Sequence, residues 1–159
     1  VHLGMYKALG VQAVAKPTSE VLPALNTGII DGYDNTPLFS IAAGWVDPIS
    51  HYTLSRHIYQ PAAIVYSKKF MDSLPADLRR IVIGDPIAEG KRGRKAVRAL
   101  EQELIESIQG MGKTVTDLSP EQRKAFRQAT RDVRNGFVIN NKELRPVYAE
   151  VKAKLKSMR

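Results

Sequence analysis

Apolar positions change their spacing along this chain. They form short clusters bounded by Gly and Pro in the first 66 residues, then long stripes at helical spacing. "VQAVAK" (Val11–Lys16) is β-branched and lies between Gly10 and Pro17, the pattern of a strand. Thr18 or Ser19 can cap the next helix, with Glu20 favourable in its first turn. Val21, Leu22, Leu25 and Ile29 recur at helical spacing, Pro23 has to sit near the helix start, and Gly28 suits a left-handed C-terminal residue. Pro37 opens a short helical stretch, "PLFSIAAGWV", that ends before Pro48. "HYTLSRH" and "QPAAIVYS" are the next strand candidates, and Pro61 makes the second an edge strand or marks its start.

From Lys68 onward the pattern predicts mostly helix. Pro75 suits a first turn, Gly84-Asp85-Pro86 interrupts, and Gly90 and Gly93 weaken the helix beyond that break. Val97, Leu100, Leu104, Ile105, Ile108 and Met111 form one apolar stripe, ended by Gly110 and Gly112. "KTVTDL" reads as a short strand. Ser119, Pro120 and Gln122 spell a capping box, and Asn135-Gly136 predicts a bend in the helix it starts. Val147, Val151, Leu155 and Met158 share a face of a last amphipathic helix. The order of elements argues for a mixed α/β architecture. Its strands are too few for a self-sufficient sheet, so partner strands are expected from outside the sequence.

Composition narrows the classes. The 159 residues can hold an ordinary domain, and 43% apolar with 25% charged residues is globular. Cysteine is absent, which excludes disulfides, thiolate metal sites and a cysteine nucleophile. No apolar run reaches the roughly 18 residues of a membrane-spanning helix. The net charge of +8 is uneven. Residues 1–66 carry 3 Lys/Arg against 4 Asp/Glu, and residues 67–159 carry 21 against 12. All three histidines, Trp45 and five of the six tyrosines lie in the first stretch. That stretch has the chemistry of a site; the second has the charge of a solvated helical face or of a nucleic-acid binder.

The densest chemistry is "DGYDN", Asp31–Asn35, immediately after a predicted helix end. Asp-Gly is a turn signal, and Asn35 is also an amide able to donate to a carboxylate and accept from a hydroxyl. Histidine as a residue type suits acid–base work, but the sequence pattern singles out no catalytic group to go with His57, and still less with His51; the three histidines lack metal-ligand spacing. Trp45 reads as core. The carboxylates Asp31, Asp34 and Asp47 form no acid–base pair, and phosphate-loop and hydrolase motifs are missing. The expectation is therefore a protein that is not an enzyme and needs no cofactor or metal. "GKRGRKAVR" (Gly90–Arg98) lacks interleaved aromatics and reads first as a solvated helix. The alternative is a basic helical domain binding nucleic acid or another partner; a small hydrolase using His57 is a third.

Taken in order, "KPTSEVLPALNTGIIDGYDNTP", "HYTLSRHIYQPAAIVYSKKFMDSLPADLRR" and "GKTVTDLSPEQRKAFR" resemble the DctP-type solute-binding proteins of TRAP transporters. The most specific parts are Ser19-Glu20-Val21, Ala24-Leu25, Gly28, Asp31-Gly32 with Asn35, and Leu74–Leu78. The resemblance implies an α/β, periplasmic-binding-protein-like fold of two lobes around a ligand cleft. This chain would be its C-terminal half, with long helices in the second part. It implies residues 1–66 as the ligand-cleft segment and 67–159 as a mainly helical segment packing on and bridging the lobes. It further implies a periplasmic protein that captures a small organic anion, a carboxylate, for TRAP membrane subunits, with no nucleic acid involved. Asn35 would contact the ligand carboxylate, with Thr18, Tyr33 and His57 as lesser contributors. The family's carboxylate-binding arginine would fall just before Val1. Thr18 stands where many relatives carry an aromatic, and Ala62 roughly where sugar-acid binders carry an acid, so the resemblance implies a ligand less hydroxylated than a sugar acid. The Gly84-Asp85-Pro86 break interrupts a helix that is continuous in the family.

Overall fold

The computed structural model describes residues His2–Ser157. In chain order its elements are α1 (His2–Ala8), α2 (Thr18–Asn26), α3 (Pro37–Ala42), β1 (His51–Leu54), α4 (Lys68–Ser73), α5 (Ala76–Ile83) and α6 (Pro86–Gly110). Next come β2 (Thr114–Asp117), α7 (Pro120–Ala129), α8 (Arg131–Asn140), a 3₁₀ turn at Lys142–Leu144 and α9 (Arg145–Ser157). Several helices begin where a side-chain oxygen meets the free N–H groups of a first turn. Thr36 accepts from Phe39 N–H at the start of α3, and Ser67 from Phe70 N–H at the start of α4. One Asp85 oxygen accepts from both Ile87 and Ala88 at 3.0 Å. The box at α7 forms as the sequence spells it: Gln122 N–H donates to Ser119 Oγ at 3.2 Å, and Ser119 N–H to Gln122 Oε1 at 2.8 Å. Gly84, at φ +55°, separates α5 from α6, as the break in the pattern predicts.

The chain folds as two compact units, each discontinuous in sequence. The first holds the residues up to Glu20, Thr53–His57 and the residues from Asp117 onward. The second holds Val21–Tyr52 and Ile58–Thr116. In the second unit α3 packs on α6, and Ile108, Val46 and Ser40 are the most completely buried side chains, joined by Trp45, Val21, Ala24 and Tyr52. In the first, α8 packs on α1, α7 and α9, and Met5 and Thr130 are buried. β1 and β2 pair as a two-stranded sheet. The change from one unit to the other falls inside β1 after Tyr52 and inside β2 after Thr116. These boundaries divide the chain differently from the change of composition near residue 66.

Several expectations meet the backbone differently. Val11–Lys16 and Gln60–Ser67 lie outside any strand or helix. β-branched residues favour a pleated surface, yet a ladder needs a neighbour, and the two-stranded sheet pairs only β1 with β2. Ile64 and Val65 consequently stand more than 80% exposed, at 83% and 84%. Pro23 lies sixth in α2; the N–H it lacks would have reached Ser19, so the ladder loses a rung near the helix start and the helix survives. α8 runs through Asn135-Gly136 unbroken, and the break falls at Thr130 instead. A helical Gly costs only about 1 kcal/mol against Ala, which packing overrides. α6 likewise runs through Gly90 and Gly93, and its apolar stripe is buried mainly from Leu104 to Ile108. On α9, Val147, Val151 and Leu155 are exposed, and Met158 lies outside the described residues.

Candidate functional site

α2 aims the chain into the "DGYDN" loop. Val21 and Ala24 are buried and fix the helix on the second unit. Gly28, at φ +70°, reverses the backbone so that Ile29 and Ile30 both donate to Ala24 O, at 2.9 and 3.3 Å. A side chain at that φ would be strained, which is why this exit needs glycine. The chain then bends at Asp31, runs through Asn35 with neither helix nor strand, and re-enters helix at Pro37.

Asn35 is half-buried and held from two directions. Its side-chain oxygen accepts from Thr36 N–H at 2.8 Å, and its backbone oxygen accepts from the Tyr52 hydroxyl at 2.8 Å. The amide oxygen being engaged, Nδ2 is the end of the side chain left to donate; among the described residues it meets no acceptor. Two N–H groups on a fixed amide can meet a carboxylate.

An aromatic wall stands beside this loop. Tyr33 meets Trp45 edge-to-face at 5.1 Å between ring centroids, and Phe39 meets the same indole at 5.2 Å. Trp45 is buried core, as its sequence context suggested. The Tyr33 hydroxyl is buried without a hydrogen-bond partner among the described residues. Burial pushes its pKa up; the Ser40 hydroxyl partly offsets this without meeting hydrogen-bond geometry. Ser40, fully buried, donates to Thr36 O at 2.8 Å and so braces the start of α3. Tyr52 is buried too. Burial pushes its phenol up to about 12, with Ser40 opposing and Tyr33 and Asp34 adding to the rise. Below the ordinary tyrosine pKa of about 10 the phenol is fully protonated and donates to Asn35.

The other two residues singled out by sequence belong to the first unit. Thr18 is exposed at the start of α2. His57 Nδ1 lies 2.6 Å from Ser55 Oγ, with its ring 6.4 Å from Tyr6 and 5.4 Å from Phe126. Beside it Arg56 adopts a left-handed backbone at φ +46° and donates to Asp117 at 2.8 Å, while Arg123 pairs with the same carboxylate. The hydrogen bond from Arg56, then that from Arg123, holds the Asp117 carboxyl below its usual pKa against some desolvation. Tyr33 and Asn35 therefore share one loop of the second unit, and Thr18 and His57 are placed in the first. Among the described residues no group of three or more His, Asp or Glu is arranged to hold a metal ion. The residue that sequence reasoning missed is Tyr52. Its signal was the period-2 pattern of "HYTL", which puts Tyr52 on the face opposite His51 and Thr53, and it alone of the four is buried.

The protein family described as bacterial extracellular solute-binding protein, family 7 (DctP), matches residues 1–141. The C4-dicarboxylate-binding periplasmic protein DctP of Shewanella loihica is 34% identical over 137 residues, 84% of this chain and 40% of its own. The ectoine-binding periplasmic protein TeaA of Halomonas elongata is 29% identical over 157 residues, 96% of this chain and 46% of its own. Among solved structures, a TRAP periplasmic solute-binding protein from Ochrobactrum anthropi, with the C-terminus bound in the ligand-binding pocket, superposes with a TM-score of 0.75 and 30% identity. That match covers 100% of this chain and 50% of the other. The chain thus spans about half the length of the relatives it matches, with their fold.

Proposed function

The chain belongs to family 7 of the bacterial extracellular solute-binding proteins, and from that membership we propose that it captures a small organic acid in the periplasm for a TRAP-type, ion-coupled transporter. The family binds solutes and is not enzymatic, and no helix among the described residues is long and apolar enough to cross a membrane. The observation that supports a carboxylate as ligand is the Asn35 side chain: its oxygen is engaged by Thr36 and its Nδ2 is left to donate. Such a hydrogen bond to an anion is charge-assisted. Tyr33 lends the loop an aromatic wall, and Thr18 and His57 contribute less. In this reading residues 1–66 carry the cleft-forming segment and residues 67–159 bridge and support the lobes. The transporter's membrane subunits are the protein partners.

Calorimetric titration of the full-length protein with succinate, malate, galacturonate, ectoine and neutral galactose tests the reading. The expected result is saturable binding of at least one carboxylate and none of galactose. Binding of galactose as tight as that of any acid, or no binding at all, overturns it. Succinate or malate ahead of galacturonate would match the position of Ala62, where an acid for ligand hydroxyls is lacking.

The basic run on α6 gives a second check. Lys91, Arg92, Arg94, Lys95 and Arg98 are all exposed, and Arg92 pairs with Glu89 on the same helix. As a solvated face it should bind DNA or RNA weakly, with the binding gone near physiological salt, because such contacts rest on counterion release. Tight, sequence-selective binding at that salt, measured by fluorescence anisotropy, would favour a nucleic-acid-binding domain instead.

A further inference from the structure

We propose that Tyr52 is the positioning residue for Asn35, its hydroxyl fixing the Asn35 backbone so that Nδ2 is presented to the ligand's carboxylate. The proposal rests on the capture reading and adds to it a residue outside the loop. Tyr52 and Asn35 are 17 residues apart in sequence and joined by a 2.8 Å hydrogen bond. The two ends of that bond differ in freedom. Tyr52 is 8% exposed and fixed in β1, whereas Asn35 sits in a segment with neither helix nor strand around it. The anchor is therefore the tyrosine and the placed group the asparagine. Thr36 sets which end of the amide faces away, and Tyr52 sets where the whole residue stands. With both acceptors of Asn35 occupied, binding need not order its side chain, and preorganisation of that kind is gained as affinity. The phenol stays protonated at any physiological pH, so the anchor does not lapse with acidity.

Tyr52→Phe keeps the ring and removes the hydrogen bond. Titration of the full-length protein with succinate, malate and galacturonate should show about 3- to 10-fold weaker binding of whichever acid binds, the scale of freeing one ordered side chain. In an Asn35→Ala background the same change should have no further effect. Equal losses in both backgrounds, or no loss in either, overturn the proposal. A ligand-free arm reads the placement itself. In ¹⁵N-labelled protein the Asn35 carboxamide should have a high heteronuclear NOE that falls in Tyr52→Phe, while the backbone amide of fully buried Ile108 is unchanged. An unchanged carboxamide, or loss of order at Asn35 and Ile108 together, would make Tyr52 an ordinary packing residue. If none of the acids binds, the capture reading fails alone, and the NMR arm still decides whether Tyr52 holds Asn35.

Discussion

Trp45→Ala is expected to lower the stability of the full-length protein by about 3–5 kcal/mol, the range for emptying a buried large aromatic site. The indole is 5% exposed and is the shared partner of Tyr33 and Phe39, so its removal leaves two rings without the edge-to-face contact each makes. Such pairs contribute about 0.5–1.5 kcal/mol beyond their buried area. Neither ring can collapse freely into the gap. Tyr33 leads into the loop that Asn35 ends, and Phe39 lies on a helix tied at its first turn by the Thr36 cap. Domains are stable by about 5–15 kcal/mol, so the loss is a large share of the total. Chemical denaturation followed by far-ultraviolet circular dichroism measures it, since the substitution itself removes the Trp45 contribution to the fluorescence. Trp45→Phe, which retains a ring, should cost less. A loss below about 1 kcal/mol for Trp45→Ala would mean the site repacks and the aromatic wall is not what supports the loop.

How much of this molecule was legible in its sequence depends on the range of the forces involved. Helix caps are decided within four residues, so Ser119 and Gln122 could be paired before any fold was known, and the pairing is present. The break at Gly84 to Pro86 is local in the same way. "HYTL" and "KTVTDL" became β1 and β2 because each finds the other. "VQAVAK" and "QPAAIVYS" have the same local character and find no ladder, which no local pattern can foretell. The α9 stripe has the same limit: periodicity states that Val147, Val151 and Leu155 share a face, not that anything covers it, and all three are exposed. In the site, the helix exit was legible because Gly28, at a positive φ, is a short-range signal, whereas Asp31-Gly32 makes a bend at Asp31 and no turn. The tie from Tyr52 spans 17 residues and two elements, and its polar partner is a backbone carbonyl that carries no sequence identity. Arg56, Asp117 and Arg123 escaped notice likewise, since the ion pair joins positions 61 residues apart.

Asn35→Ala should leave the fold nearly intact and weaken ligand capture sharply. The substitution removes a hydrogen bond from Thr36 N–H to the amide oxygen, a net contribution of about 0.5–1.5 kcal/mol to stability. It leaves the Tyr52 bond in place, because that bond ends on the backbone carbonyl, which alanine retains. Stability should therefore change far less than in Trp45→Ala. Binding depends on the lost Nδ2. A hydrogen bond to an ionised carboxylate contributes about 1.5–3 kcal/mol. At about 1.4 kcal/mol per tenfold, affinity should fall by roughly 10- to 150-fold. Asp34→Ala is the control, for a neighbouring acid cannot anchor an anion, and removing it should not weaken the binding of one. Calorimetry on the full-length protein, with whichever of the titrated acids binds best, reads both variants. The expected pattern is a large loss in Asn35→Ala, none in Asp34→Ala, and melting temperatures close to wild type in both. Unchanged affinity in Asn35→Ala would leave the loop as a turn held between Thr36 and Tyr52, with the ligand's carboxylate anchored by other residues.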